Sequence, residues 1–516
     1  MALAALLACG GLTACQDETD IKASPATASA SAAVPAGLES FYNQKVSWYA
    51  CDKKGMGEAK SGKDTGFTCA KVKVPLDYDN PGGETIDIAV KKRAAGGESV
   101  GSLFINPGGP GGSGIELVDN AGSYFSKNLT SSYDVVGFDP RGVGASTAVD
   151  CLTDAELDAE RAGANDPATP SAAATQERAQ KMGEACASKT SPAGLLDHID
   201  TISAAKDLDI LRAVDGQQTL TYLGFSYGTY LGATYAELFP ANTGRMVLDG
   251  AVDPSLSAEE LALGQAKGFE ASLRAYVQNC QSSKLGCPLS GDVDSGVSQV
   301  REFLESTKAA PLPTSDDKRP LTYDLAVYGV LGSMYQTQVW PSLTLALSQA
   351  MGKVGKPDGS ALLAIADLVS SRQSDGTYSN NGAEALMAVN CLDYPVQGDN
   401  ASWEENAKAV NEASPTFGSQ LLYPDAYCQG WGHTSSRKRE KITASGAAPI
   451  LVVGTTGDPA TPYAWSQALA DQLESGQLLT WKGNGHTAYG RSNDCVKKAV
   501  DTYLLNGTMP DKGLTC

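Results

Sequence analysis

Residues 220–229 read Leu-Thr-Tyr-Leu-Gly-Phe-Ser-Tyr-Gly-Thr. The first four are apolar and β-prone, and the run from Thr229 to Phe239 is compatible with a helix. Between them stands a G-x-S-x-G pentapeptide, from Gly224 to Gly228. Strand, pentapeptide and helix in that order describe a nucleophile elbow, a turn so tight that a side chain at either glycine would strike neighbouring backbone. The turn lifts Ser226 above the strand end with a helix N-terminus beneath it, a location that favours an anionic intermediate. Because Gly and Ser are common turn residues, the pentapeptide alone is a weak signal. Gly232 and Ala233, small enough for close helix packing, strengthen it, as do the partners found elsewhere in the chain.

Upstream, 85–92 alternates like an early strand and 102–105 is a compact buried strand. The latter runs into Asn-Pro-Gly-Gly-Pro-Gly-Gly-Ser-Gly at 106–114. Glycines after such a strand let a backbone N–H approach a reacting carbonyl, as an oxyanion hole requires. In this arrangement the hole combines the N–H of the residue after the nucleophile, Tyr227, with one from the earlier loop. Matching to HGxP-type loops selects Gly109. The loop lacks the Lys-Ser/Thr ending of a phosphate-binding P-loop. A further strand at 133–138 ends in Asp139-Pro-Arg141-Gly-Val-Gly, a structural turn with an Asp139–Arg141 pairing, or alternatively a carboxylate-binding arginine. Residues 41–74 read as an entry segment, 151–195 as helical, and Thr201–Val214 as the helix leading into the elbow strand.

Downstream, a strand at 245–248 closes in Asp249-Gly-Ala-Val-Asp253-Pro. Helix-like segments without strand–glycine–helix repeats then fill 255–441, an inserted cap. Strand grammar resumes at 449–453, followed by Gly457-Asp458-Pro459, and ends at 477–481, followed by Gly-Asn-Gly-His486-Thr. Alternating strands and helices predict a mostly parallel sheet covered by helices on both faces, the α/β-hydrolase fold. Its core comprises 41–254 and 442–516.

A serine hydroxyl needs an adjacent base, and the chain has three histidines. His198 precedes a helix, where capping or surface placement is expected, and His433 lies beside a basic run. His486 alone follows a core strand in a glycine-rich loop, so it is assigned as the base. Asp458, after the penultimate strand, completes the order Ser, Asp, His of this fold. Asp249 and Asp253 are rival acids.

A net charge of −19 argues against a nucleic-acid partner and suits cationic or free-amine substrates. With 42% hydrophobic and 19% charged residues the chain has an ordinary globular composition. Residues 1–15 form an apolar leader ending in Leu-Thr-Ala-Cys, a lipobox-like signal peptide without a positive n-region, with Cys15 as the lipidated residue. Residues 16–40 read as a flexible tether, leaving that lipid as the only membrane attachment. Without Cys9 and Cys15, ten of the twelve cysteines remain: Cys51, Cys69, Cys151, Cys186, Cys280, Cys287, Cys391, Cys428, Cys495 and Cys516. An even number in an exported chain suggests disulfides, and sequential pairing is the economical arrangement because its loops are short. No metal site and no cofactor are expected.

The glycine loop, Asp-Pro-Arg-Gly-Val-Gly, Gly-Phe-Ser-Tyr-Gly-Thr-Tyr-Leu-Gly, Gly-Asp-Pro-Ala-Thr-Pro and Gly-His-Thr-Ala-Tyr-Gly-Arg-Ser occur here in one order. From about residue 41 to 516 the chain resembles the secreted tripeptidyl aminopeptidases of actinobacteria, relatives of prolyl aminopeptidases that include mycobacterial cell-envelope serine hydrolases. The resemblance implies an exported serine exopeptidase that releases short peptides from free N-termini, with Ser226, Asp458 and His486 matching the family's triad; a monomer is expected. A carboxylesterase or lipase would use the same triad, whereas an epoxide hydrolase or dehalogenase would need Asp in place of Ser226. An exopeptidase must also hold the substrate ammonium with a carboxylate, and Asp393, in the cap beside Cys391, is the first candidate, or alternatively a surface or capping acid.

Overall fold

A computed structural model describes residues 21–25, 34–60, 64–164, 170–283 and 286–516. The leader, Cys15 and most of the expected tether lie outside the described residues. Residues 21–25 of that stretch are docked: Ser24 N–H donates to Leu505 O at 2.9 Å, and Arg245 Nη1 donates to Ser24 O at 2.7 Å.

Among the described residues, one sheet holds nine strands: β1 Tyr49–Ala50, β2 Phe67–Pro75, β3 Thr85–Arg93, β4 Ser102–Asn106, β5 Asp134–Phe138, β6 Leu220–Phe225, β7 Thr243–Asp249, β8 Ile450–Gly457 and β9 Gly476–Asn484. Their order is β1-β2-β3-β5-β4-β6-β7-β8-β9. Pairings from β1 through β3 to β5 are antiparallel, and every pairing from β5 onward to β9 is parallel. This is the α/β-hydrolase sheet. The central strands read as continuous apolar runs because both faces are covered. Successive side chains serve opposite cores: Phe104, Tyr222, Leu248 and Val452 on one face, Ile105, Leu223, Val247 and Val453 on the other.

The strand β2 lies inside the stretch read as an entry segment. Val72 and Val74 point inward while Lys71 and Lys73 are exposed, the alternation of a half-buried strand. Helix α1, Thr201–Val214, starts at Asp200, whose carboxylate accepts from Ile202 and Ser203 N–H. Helix α2, Tyr227–Leu238, follows the elbow.

Between β7 and β8 the chain is helical, from α3, Ala258–Ser282, through α4, Gly382–Asp393, to α5, Pro424–Trp431. These helices bury an apolar cluster of their own, including Phe269, Leu273, Tyr276 and Leu304. They also close onto the sheet's carboxyl end. A Cβ on Gly268 of α3 would lie 2.3 Å from Pro459 O, and one on Gly111 would lie 2.4 Å from Gly382 O, so only glycine permits either approach. The ten cysteines form five sequential bridges: Cys51–Cys69, Cys151–Cys186, Cys280–Cys287, Cys391–Cys428 and Cys495–Cys516. No helix among the described residues is long and apolar enough to cross a membrane.

Candidate active site

Ser226 is the one residue of 220–229 that is not buried. Its φ of 57° lies in the left-handed region, which costs a non-glycine residue free energy and marks a conformation held by its surroundings. The surroundings are tight. A Cβ on Gly224 would stand 2.4 Å from Gly228 O, and one on Gly228 would stand 2.8 Å from Asn106 Oδ1. Ser226 N–H donates to Asp249 O at 2.9 Å, which fixes the elbow to the end of β7.

The glycine loop after β4 lies against this elbow. Gly108 packs so closely that a Cβ there would be 2.9 Å from Ser226 Cβ and 3.0 Å from Tyr227 N. Gly108 N–H is nevertheless spent on Asn106 Oδ1 at 2.9 Å, and Gly112 N–H on Gly108 O. Gly109 N–H and Tyr227 N–H have no acceptor among the described residues. Asn381, just before α4, spans this region: its amide donates to Gly142 O and Val149 O and accepts from Gly144 N–H.

Asp458 and His486 meet directly. The imidazole Nδ1 lies 2.9 and 3.0 Å from the two Asp458 oxygens. A carboxylate at Nδ1 requires the proton there, which leaves Nε2 with the lone pair a general base needs. Asp458 also accepts from the N–H groups of Ala460, Thr461 and Thr487, so the carboxylate is held in place by four donors. Thr461 Oγ1 lies 3.3 Å from the same Nδ1. From the helical segment, Tyr335 O accepts His486 N–H at 2.8 Å, and its ring stands edge-on to the imidazole at 5.4 Å. The ring passes over the β7 terminus, since a Cβ on Gly250 would lie 3.4 Å from His486 Cε1. Ser226 Oγ makes no hydrogen bond to the ring among the described residues; such bonds commonly close only around substrate.

The rival acids sit elsewhere. Asp253 accepts from Ser255 and Gln472. Asp249 is fully buried and accepts from the backbone beyond His486, not from the ring. His198 and His433 face Asp77 and Asp197 away from this cluster. Arg141 is structural, but its partner is not Asp139. It is fully buried, forks onto Asp207 at 2.7 Å through both Nε and Nη2, and donates to Pro75, Leu76 and His198 carbonyls. Asp139 instead accepts from Ser113 Oγ and the Ile115 and Ala145 N–H groups. Adjacent placement in sequence pointed to the wrong pair because Asp207 arrives from α1, 66 residues away.

Of the two roles open to Asp393, holding a substrate ammonium or capping, the fold gives it the second. Here it is buried, accepts from Thr201 N–H at 2.8 Å and Thr201 Oγ1 at 2.6 Å, and so caps the start of α1. Burial pushes its carboxyl up to about 6, with Thr201 pulling the other way. A raised acid makes the folded state bind more protons than the unfolded one between about pH 4 and 6, so its contribution to stability falls as pH rises through that window. Asp393→Asn, which turns an NH2 toward one Thr201 donor, should cost about 1–3 kcal/mol. The loss should read as a lower Tm, with a wider gap from the parent at pH 5 than at pH 7.5. An unchanged Tm at pH 5 would contradict the capping role.

Thr461, Tyr335, Asn106 and Asn381 escaped sequence reasoning. Thr461 carried a faint signal, standing one residue beyond the Asx turn that Ala460 N–H closes on Asp458, where its own N–H meets the same oxygen. The others are brought in by tertiary packing.

The model described as alpha/beta hydrolase fold matches residues 101–344, and that described as TAP-like protein matches 414–516. The chain is 36% identical over 484 residues to serine protease Hip1 of Mycobacterium tuberculosis H37Rv, covering 92% of this chain and 91% of that protein. It is 37% identical over 454 residues to carboxylesterase B of the same organism, covering 87% and 86%. It is 31% identical over 460 residues to a tripeptidyl aminopeptidase of Streptomyces lividans, covering 87% and 83%.

Proposed function

The chain belongs to the tripeptidyl-aminopeptidase-like serine peptidase family of the α/β-hydrolase fold, and we propose that it is an exported exopeptidase that frees short peptides, tripeptides among them, from unblocked N-termini. The observation that carries the reading is the imidazole of His486, seated by both oxygens of Asp458 beside a strained elbow that presents Ser226. In this reading Ser226 Oγ attacks the scissile carbonyl while Nε2 of His486 takes its proton. The oxyanion rests against the N–H groups of Tyr227 and Gly109. His486 returns the proton to the departing amine, and water then repeats the sequence on the acyl-enzyme. The helical segment 255–441 acts as a cap that closes the cleft and limits which substrate ends enter. Five disulfides support an oxidising destination outside the cytoplasm. Within this reading, Cys15 is the lipid attachment point.

A second reading, an esterase, is favoured by one observation, the 37% identity to carboxylesterase B. The two separate on one experiment: a peptide series with free or acetylated N-termini, assayed beside short acyl esters, with products read by mass spectrometry. The aminopeptidase should cleave free peptides at least tenfold faster than their acetylated forms. An ammonium left without its carboxylate partner costs about 2–5 kcal/mol, and loss of the ammonium forfeits that contact. Equal rates on both peptides, or turnover of esters alone, would overturn the exopeptidase reading in favour of the esterase.

A further inference from the structure

We propose that Asp249 is a positioning residue for the reaction, one that sets the base against the nucleophile without touching substrate. The inference rests on the assignment of Ser226 and His486 given above.

Asp249 ends β7 and is fully buried. Its backbone and its side chain point to the two halves of the site. The carbonyl accepts Ser226 N–H at 2.9 Å. The carboxylate accepts Ala488 N–H at 2.9 and 3.0 Å and Tyr489 N–H at 2.7 Å. One residue thus ties the nucleophile to the loop that carries the base, two residues beyond the imidazole. That loop needs restraint, because Thr487 between them has a φ of 64°, a left-handed conformation for a β-branched residue. Asp458 holds the near side through Nδ1 and Thr487 N–H, and Asp249 holds the far side. Gly250, at φ 69°, leaves room for the ring: a Cβ would press on Thr487 Cγ2 at 2.9 Å and on His486 Cε1 at 3.4 Å.

A buried carboxylate is a costly way to anchor a loop that a neutral acceptor could hold, unless its charge is used. Here burial raises the carboxyl to about 6 against the pull of the Tyr489 and Ala488 N–H groups, with Asp458 raising it further and His486 lowering it. The groups facing Asp249 are Asp458 from the loop after β8, His486 from its own loop, and Tyr124 from the short helix Ala121–Tyr124, with Arg491 on the outer side of Tyr124. Of these only the imidazole gains a positive charge during turnover, so the Asp249 carboxylate favours the imidazolium that forms as Ser226 is deprotonated. The placement of the nucleophile relative to the base, and the strength of that base, are set together at this residue.

The test is Asp249→Asn in the full chain, with Ser226→Ala beside it. With its oxygen in the Oδ2 place Asn keeps both N–H groups but stands its NH2 against Ala488 N–H, and in the other orientation it turns that NH2 toward Tyr489 N–H. Displacement of the loop should lower kcat about a hundredfold, with KM changed less than about threefold. Loss of the charge should also move the acid limb of the kcat/KM–pH profile down by about 0.5–1 unit. A residue that serves stability alone would lower Tm but leave the acid limb, and the kcat of the folded fraction, where they were. That outcome overturns the proposal. If Asp249→Asn does not fold, Asp249→Ser, which retains one small acceptor, is measured instead; failure of both to fold would show a folding residue and also overturn it. Activity in Ser226→Ala would sink the catalytic assignment itself. An inactive Ser226→Ala beside a fully active Asp249→Asn would sink this inference alone.

Discussion

Ser226→Ala should give a folded protein whose kcat/KM on its best peptide is lower than the parent's by about four to six orders of magnitude. The serine is partly exposed between buried Phe225 and Tyr227. Its strained φ of 57° is imposed by Asp249 O, Gly224 and Gly228, all of which the variant retains. Tm should therefore move by no more than a few degrees, since alanine meets the same backbone strain as serine. On the proposed mechanism, a residual rate above the uncatalysed reaction would come from the Tyr227 and Gly109 N–H groups stabilising an oxyanion formed by water attack. Activity within tenfold of the parent would remove Ser226 from the mechanism. A collapse in Tm would remove the claim that the elbow stands without it.

Asp458→Asn should cost about ten-thousandfold in kcat. The carboxylate meets Nδ1 with both oxygens and accepts three backbone N–H groups besides. An amide there can keep the Ala460 and Thr461 donors with its oxygen, but its NH2 then faces Nδ1. The ring must put its proton on Nε2 to accept that hydrogen bond, and the lone pair needed by Ser226 is lost. The loss should exceed that of Asp249→Asn by about two orders of magnitude, because Asp249 makes no hydrogen bond to the ring and acts on it through the backbone of Ala488 and Tyr489 and by its charge. Equal losses, or the reverse ranking, would make Asp249 the acid that orients the base.

The contrast between those two aspartates shows where sequence reasoning stops. Local chemistry was legible from the chain itself. A strand, two obligatory glycines, a serine and a helix make an elbow wherever they occur, because the clash at 2.4 Å between a Gly224 Cβ and Gly228 O is a property of the turn. The order of Ser226, Asp458 and His486 followed from strand ends, and the parallel sheet from continuous apolar runs at β4 and β6. Short sequential loops also matched the five disulfides.

Tertiary structure alone decided which carboxylate meets which donor. Asp249, Asp253 and Asp458 all follow strands, and nothing in one dimension says which side chain turns toward the imidazole. Arg141 passed over neighbouring Asp139 for Asp207, because a buried guanidinium takes the carboxylate that presents both oxygens in its plane. Asp393 went to the N-terminus of α1 because Thr201 offers two donors there, and a buried charge must be hydrogen-bonded. The valines of β2 alternate with exposed lysines in the period of a half-buried strand, so the element was legible within 41–74, and only its pairing with β1 and β3 was left to the fold. Tyr335 reached the base from a helical segment with no motif of its own, carried there by the packing of Phe269 against its ring. Motifs are short-range and steric, so a sequence contains them; the partners of a buried charge are set by which elements the fold brings together.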